Sequence, residues 1–172
     1  MKALSHLSLW LHPAARDEPA LRAEVVRLGT RWGSPPFAPH LTLVGGFDAP
    51  EDEARRRAAD LAAELDPLDV EFTTIATEEQ LHRSLFLGAA PNALLDAAFG
   101  TAVRICAGLV GEEPFRPHLS LAYLDAPAEL RERAAASVAL APPVRARFDT
   151  LALWRTPMPT VEDWRKVDVW AL

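Results

Sequence analysis

The chain has 172 residues, 49% apolar and 24% charged, enough for one domain with a sizeable core. Its single cysteine, Cys106, excludes an internal disulfide and a cysteine-based metal cluster. The formal charge of −6 argues against a long nucleic acid as partner, which needs a basic surface, yet leaves room for a small anion in a local pocket.

Leu4 to Leu11 reads as an opening strand, with Leu7, Leu9 and Leu11 alternating against His6, Ser8 and Trp10. Asp17 offers an N-cap, Pro19 falls in the first turn, and Leu21, Val25, Leu28 and Trp32 follow at helical spacing until Gly33 stops the helix. A short strand from His40 to Val44 comes next, which Gly45-Gly46 is expected to break. Asp48 and the acidic run Glu51-Asp52-Glu53 open a second helix with the stripe Ala54, Ala58, Leu61 and Leu65. Residues 68 to 77 and 83 to 89 form a strand pair around Thr77-Glu78-Glu79-Gln80. Asn92 caps a helix carrying Leu95, Phe99, Ala102, Cys106 and Leu109, with Gly111 as its stop, and Cys106 reads as core. A strand from His118 to Tyr123 and a helix over 127 to 138 follow. Val144, Ala146 and Phe148 mark a further strand, and Val167, Val169 and Ala171 the last. This order predicts an α+β fold with antiparallel sheets and helices outside. No run approaches the roughly 20 apolar residues of a membrane span. The N-terminus has no basic region feeding an apolar signal core, so no membrane partner and a cytoplasmic location are expected.

One frame occurs twice. Gly33-Ser34-Pro35-Pro36-Phe37-Ala38-Pro39-His40-Leu41-Thr42-Leu43 returns as Gly111-Glu112-Glu113-Pro114-Phe115-Arg116-Pro117-His118-Leu119-Ser120-Leu121, offset by 118 − 40 = 78 residues. Phe47-Asp48-Ala49-Pro50 then answers Leu124-Asp125-Ala126-Pro127, after one extra residue at Gly45-Gly46. No linker separates the copies, so residues 1–172 read as one domain with two motif lobes, around 33–50 and 111–127. In an extended strand residues i and i+2 share a face, so His40 sits with Thr42 and His118 with Ser120. Lobes related by a pseudo-twofold axis would bring both polar faces into one cleft. One neutral and one protonated imidazole there suit acid–base catalysis, and the hydroxyls suit phosphate oxygens, with no metal and no cofactor needed. A lone H-x-[ST] carries little weight, since His6-Leu7-Ser8 also fits it. His12 and His82 lack any motif context and read as surface or structural.

The two H-L-[TS]-L tetrads resemble the 2H phosphoesterase superfamily. Their flanks, together with Ser8-Leu9-Trp10-Leu11 and the tail Thr160-Val161-Glu162-Asp163-Trp164-Arg165-Lys166-Val167, resemble its plant and yeast cyclic nucleotide phosphodiesterase branch. The resemblance implies a bilobal fold whose two antiparallel sheets form a central cleft. It also implies metal-independent hydrolysis of a small cyclic phosphate, either a 2′,3′-cyclic nucleotide opened to the 2′-phosphate or ADP-ribose 1″,2″-cyclic phosphate. Carried over by position, His40 and His118 are the acid–base pair, Thr42 and Ser120 hold phosphate, and Tyr123 stands at the pocket rim. Phe86 would stack on a base and Trp10 would line the same pocket, although both also read as core aromatics. The first motif has Gly45-Gly46 where Tyr123 follows the second, which leaves more of the ligand contact to the second lobe. The protein is expected to act as a monomer. Two alternatives stay open: a 2′–5′ RNA ligase-like enzyme acting on RNA ends, and a nucleotide-phosphate binding module without turnover.

Overall fold

A computed structural model describes residues 6–111 and 114–172. Strand and helix alternate in two matching rounds. The first is β1 (Leu7–Pro13), α1 (Glu18–Trp32), β2 (Leu41–Phe47), α2 (Glu51–Glu64) and β3 (Leu68–Ala76). The second is β4 (Leu85–Ala89), α3 (Ala93–Ile105), β5 (His118–Ala122), α4 (Ala128–Ala136) and β6 (Val144–Arg155), after which β7 (Arg165–Ala171) is added. The fold is α+β, and the described residues form four α-helices and one seven-stranded antiparallel sheet in the order β1-β2-β5-β4-β3-β6-β7. Its two halves are continuous because β6 is long. Val144 to Phe148 pair with β3, while Phe148 to Arg155 pair with β1 and residues 150 to 155 also with β7.

Local signals explain most element ends. Gly33 takes φ +78° and returns its N–H to the Gly29 carbonyl at 2.8 Å, a left-handed stop that favours glycine. Asn92 caps α3, its side-chain oxygen accepting from the N–H groups of Leu94 and Leu95, both at 3.1 Å. Asp17 holds the N-cap position of α1 but makes no cap; its Oδ2 accepts the Arg147 N–H at 2.8 Å and ties the helix start to β6.

Four expectations are corrected. Residues 4 and 5 of the opening strand lie outside the described residues, and β1 runs on to Pro13. Gly45-Gly46 does not break β2, because pairing with β1 carries the strand through. The register moves from Leu9↔Val44 to Leu7↔Phe47, a bulge that absorbs the extra residue, with Gly46 at φ +68°. Helix α3 ends at Ile105, and the left-handed turn beyond it falls at Gly108 rather than Gly111. In β7, Val169 is exposed while Val167 and Trp170 pack on the core, since a register shift between Leu153 and Trp154 re-aims this edge strand.

The pairing register reveals the symmetry. Leu41 of β2 pairs with Leu119 of β5, and 119 − 41 = 78, the offset of the duplicated frame. Val70 of β3 pairs with Ala146 of β6, and 146 − 70 = 76. Residues at the same place in the two rounds thus face each other, which puts a pseudo-twofold axis through both pairs. Strands β3 and β4 pair as Phe72↔Ala89, Thr74↔Gly88, Ile75↔Leu87 and Ala76↔Phe86. Strands β6 and β1 repeat that register as Phe148↔Pro13, Thr150↔His12, Leu151↔Leu11 and Ala152↔Trp10. The buried stripes of α1 (Leu21, Val25, Leu28), α2 (Ala54, Ala58, Leu61) and α3 (Leu95, Ala98, Ala102) join the sheet in one apolar core.

Phe72 and Phe148, related by the same 76-residue offset, are fully buried and meet edge-to-face at 6.3 Å and 63°. Phe148→Ala should therefore cost about 3–5 kcal/mol of folding stability, read as a lower midpoint in urea unfolding.

Candidate active site

Each motif histidine is set by the proline-led turn before its strand. His40 Nδ1 lies 2.7 Å from the Ala38 carbonyl oxygen and His118 Nδ1 lies 2.8 Å from that of Arg116. A carbonyl can only accept, so both Nδ1 atoms carry the proton and both Nε2 atoms are left for a ligand. Aromatic rings on the neighbouring strands back the imidazoles. Trp10, opposite Thr42, stacks on His40 at 3.6 Å and 11°; Phe86, opposite Ser120, presents an edge to His118 at 5.3 Å and 66°.

His40, Thr42, His118, Ser120, Tyr123 and Trp10 line one cleft of about 390 Å³. Phe86 stands behind His118 and is not part of the wall. Trp10 is covered on its faces by His40 and by Trp154, whose ring lies 4.8 Å away, so it orients His40 and has no free face for a base. Tyr123 is buried in the wall rather than standing at a rim. It stacks on Phe37 of the first motif at 4.2 Å, and its N–H donates to the Ser34 hydroxyl at 2.9 Å. The Ser120 hydroxyl donates to the His82 main-chain carbonyl at 2.9 Å, so it must turn before it can reach a phosphate.

Other lining residues escaped the sequence reading: Ser8, His82, Arg83, Thr156, Met158 and Trp164. Trp164 comes from the tail after β6 and packs against Trp10, His82 and Tyr123 at 5.3, 5.7 and 5.7 Å. Both ring nitrogens of His82 are buried and take no partner among the described residues. A second repeated frame would have pointed to this pair of strands. His6-Leu7-Ser8-Leu9-Trp10-Leu11 and His82-Arg83-Ser84-Leu85-Phe86-Leu87 share H-x-S-L-aromatic-L at an offset of 82 − 6 = 76. Its serines do equivalent jobs, Ser8 accepting the Gly46 N–H at 3.2 Å and Ser84 the Leu124 N–H at 2.6 Å. His12 is structural, as expected: Nδ1 donates to the Pro39 carbonyl at 2.9 Å, and Nε2 accepts the Trp154 indole N–H at 3.0 Å.

Burial governs the charge state. It lowers His40 from 6.5 to about 3, against the opposing pull of the Ala38 carbonyl, and the neighbouring histidines add to the lowering. His118 is lowered too, first by burial and then by the Arg83 charge, partly offset by the Arg116 carbonyl. His82 is lowered by burial, and burial raises the Tyr123 phenol. The cleft by itself therefore holds neutral imidazoles, not the one protonated and one neutral ring expected from sequence. Among the described residues no three His, Cys, Asp or Glu side chains form a metal-binding group, and no helix is long and apolar enough to cross a membrane.

Residues 10–157 match the sequence profile of the 2′-5′ RNA ligase superfamily. The chain belongs to this family. Comparison with curated proteins finds no match. Among solved structures, the fold is similar to Escherichia coli LigT complexed with 3′-AMP, at 16% identity and a TM-score of 0.63, with 99% of each chain covered. The TT0787 protein of Thermus thermophilus is similar at 20% identity and a TM-score of 0.65, with 97% of each chain covered. Both likenesses concern the fold. The superfamily comprises phosphoesterase- and ligase-type enzymes, whose chemistry is that of the phosphodiester bond.

Two depressed histidines make this superfamily member acid-sensitive. Below pH 6.5 the unfolded chain binds protons that folded His40 and His12 refuse down to about 3 and about 4. Their stabilisation is complete above 6.5 and lost as the pH falls through that window, on the order of 2 kcal/mol each at pH 5. Urea unfolding at pH 7 and pH 5 should show the loss, and His12→Gln should reduce it.

Proposed function

We propose that the protein is a phosphodiesterase that hydrolyses a small cyclic phosphate by paired-histidine acid–base catalysis. The observation that carries this reading is the duplicated Nδ1–H···O=C bond, which fixes His40 and His118 in the same tautomer and leaves both Nε2 atoms for ligands of the cleft that the two rings line. One neutral Nε2 takes a proton from water as the water oxygen attacks phosphorus. The other ring, once protonated, gives its proton to the sugar oxygen as the ring phosphodiester opens, so that one water is added overall. The missing proton arrives with the substrate, because an anionic phosphate between the rings favours the protonated form of the one it faces. Thr42 and a reoriented Ser120 donate to the non-bridging oxygens. No step needs a metal ion.

The family name and one surface feature support a second reading, action on the cyclic phosphate end of an RNA. A wider groove of about 950 Å³ shares Trp10 and Trp164 with the cleft; its walls carry Arg22 and Lys166 but also Glu18, Asp149 and Glu162, so its room and its aromatic side chains rather than its charge suit the nucleotide next to an end. Salt-sensitive turnover that prefers an oligoribonucleotide over a mononucleotide would favour it.

The test is turnover of 2′,3′-cyclic AMP and ADP-ribose 1″,2″-cyclic phosphate with EDTA present. Activity should persist in EDTA, and His40→Ala or His118→Ala should each lower it about 10²–10⁴-fold. Loss of activity in EDTA that a divalent ion restores would contradict the metal-free scheme. No turnover of either compound by folded protein would favour RNA ends or a binding role.

A further inference from the structure

Among the described residues in and beside the cleft, charge breaks the pseudo-twofold next to His118. Where the first motif has Ala38 the second has Arg116, and where the first copy of the other frame has Leu7 the second has Arg83. Leu7 is fully buried in the core. Arg83, in the short turn Leu81–Arg83 between β3 and β4, is instead the one lysine or arginine among the described residues lining the catalytic cleft. The other polar groups there are three imidazoles and a set of hydroxyls, all neutral while no anion faces them.

Arg83 is held as a binding group would be. The Glu78 carboxylate accepts from Nη2 of Arg83 and from Nη2 of Arg116, so one carboxylate joins two guanidinium groups and leaves one net positive charge. The Glu78 N–H in turn donates to the Arg83 carbonyl at 3.0 Å. The guanidinium carbon lies 5.7 Å from the centre of the Phe86 ring, the same ring whose edge meets His118. Arg116 contributes its carbonyl to His118 Nδ1, so the cluster that positions Arg83 also positions that histidine. The Arg83 side chain is 16% exposed. Its Nε is buried with no partner, and its Nη1 takes no hydrogen bond among the described residues.

We infer that Arg83 binds the non-bridging phosphate oxygens of the substrate through its free N–H groups and neutralises the charge that builds up there. The inference rests on the phosphodiesterase reading and names the group that makes the cleft receptive to an anion. Moving a phosphate from water into a cleft of neutral groups is costly, and a fixed guanidinium offsets that cost with a planar fork matched to phosphate. Arginine keeps its charge at every pH at which the histidines titrate, and it needs no reorganisation as the transition state forms.

Three measurements test this. Inorganic phosphate binding by calorimetry and 2′,3′-cyclic AMP turnover are compared in wild type, Arg83→Gln and Arg83→Lys. In Arg83→Gln the phosphate Kd should rise at least about tenfold and kcat/KM fall about 10²–10³-fold, with Arg83→Lys recovering part of both. Titrating phosphate into wild-type protein with labelled arginine should shift the Arg83 guanidinium resonances, a readout independent of whether any variant folds. Phosphate affinity within about threefold of wild type in folded Arg83→Gln, or unshifted Arg83 resonances, would overturn the inference. Turnover that survives Arg83→Gln would do so while leaving the phosphodiesterase reading intact. Wild-type phosphate binding that depends on Arg83 without turnover would uphold the inference and count against that reading.

Discussion

A single antiparallel contact, Leu41 of β2 against Leu119 of β5, sets the arrangement on which the rest of the molecule depends. The paired residues occupy the same place in a repeated frame, and an antiparallel pair of equivalent residues is itself a local twofold. Only one pair forms there, whereas β3 and β6 pair over five positions at the other crossing of the axis. The sheet is thus continuous at one crossing and barely joined at the other. The residues that flank the single pair, His40 and Thr42 on one strand and His118 and Ser120 on the other, all reach one cleft.

Symmetry delivers the matched histidines, and departures from it give the cleft a direction. The bond that fixes each imidazole is duplicated, as is the aromatic partner behind it. The tail beyond β6 has no counterpart in the first round, and it brings Trp164 to the cleft beside Trp10, Tyr123 and His82. The Glu78, Arg83 and Arg116 cluster has no counterpart among the described residues either. A phosphodiester is not symmetric about phosphorus during hydrolysis, since one oxygen arrives as another leaves. A cleft with two equal histidines and unequal surroundings matches that requirement.

The same burial that shapes the site also governs its chemistry. Packing His40 against Trp10 and Phe37 fixes the ring but removes it from water, and the ring becomes a poor proton acceptor. An anion bound between the rings would reverse part of that penalty, which is the coupling of substrate charge to protonation that the proposed reaction requires. His82, with both nitrogens buried and unpartnered among the described residues, shows how tightly the aromatic residues close over the cleft.

The sequence by itself determined what short-range patterns encode. The Gly33 stop, the Asn92 cap and the apolar stripes of the helices lie within a few residues of the groups they satisfy. The duplicated P-H-L-[TS]-L frame made His40, Thr42, His118 and Ser120 legible because a repeat is visible before any fold is known. Tertiary structure decided what depends on residues far apart in the chain. Pairing with β1 carried β2 through Gly45-Gly46, where local propensity argued for a break. Strand register placed Phe86 behind His118 rather than in the cleft, and turned His82 and Arg83, unremarkable in a short turn, into parts of the wall. The charge state of the imidazoles was decided the same way, since desolvation is a property of the packed surroundings and not of the ring.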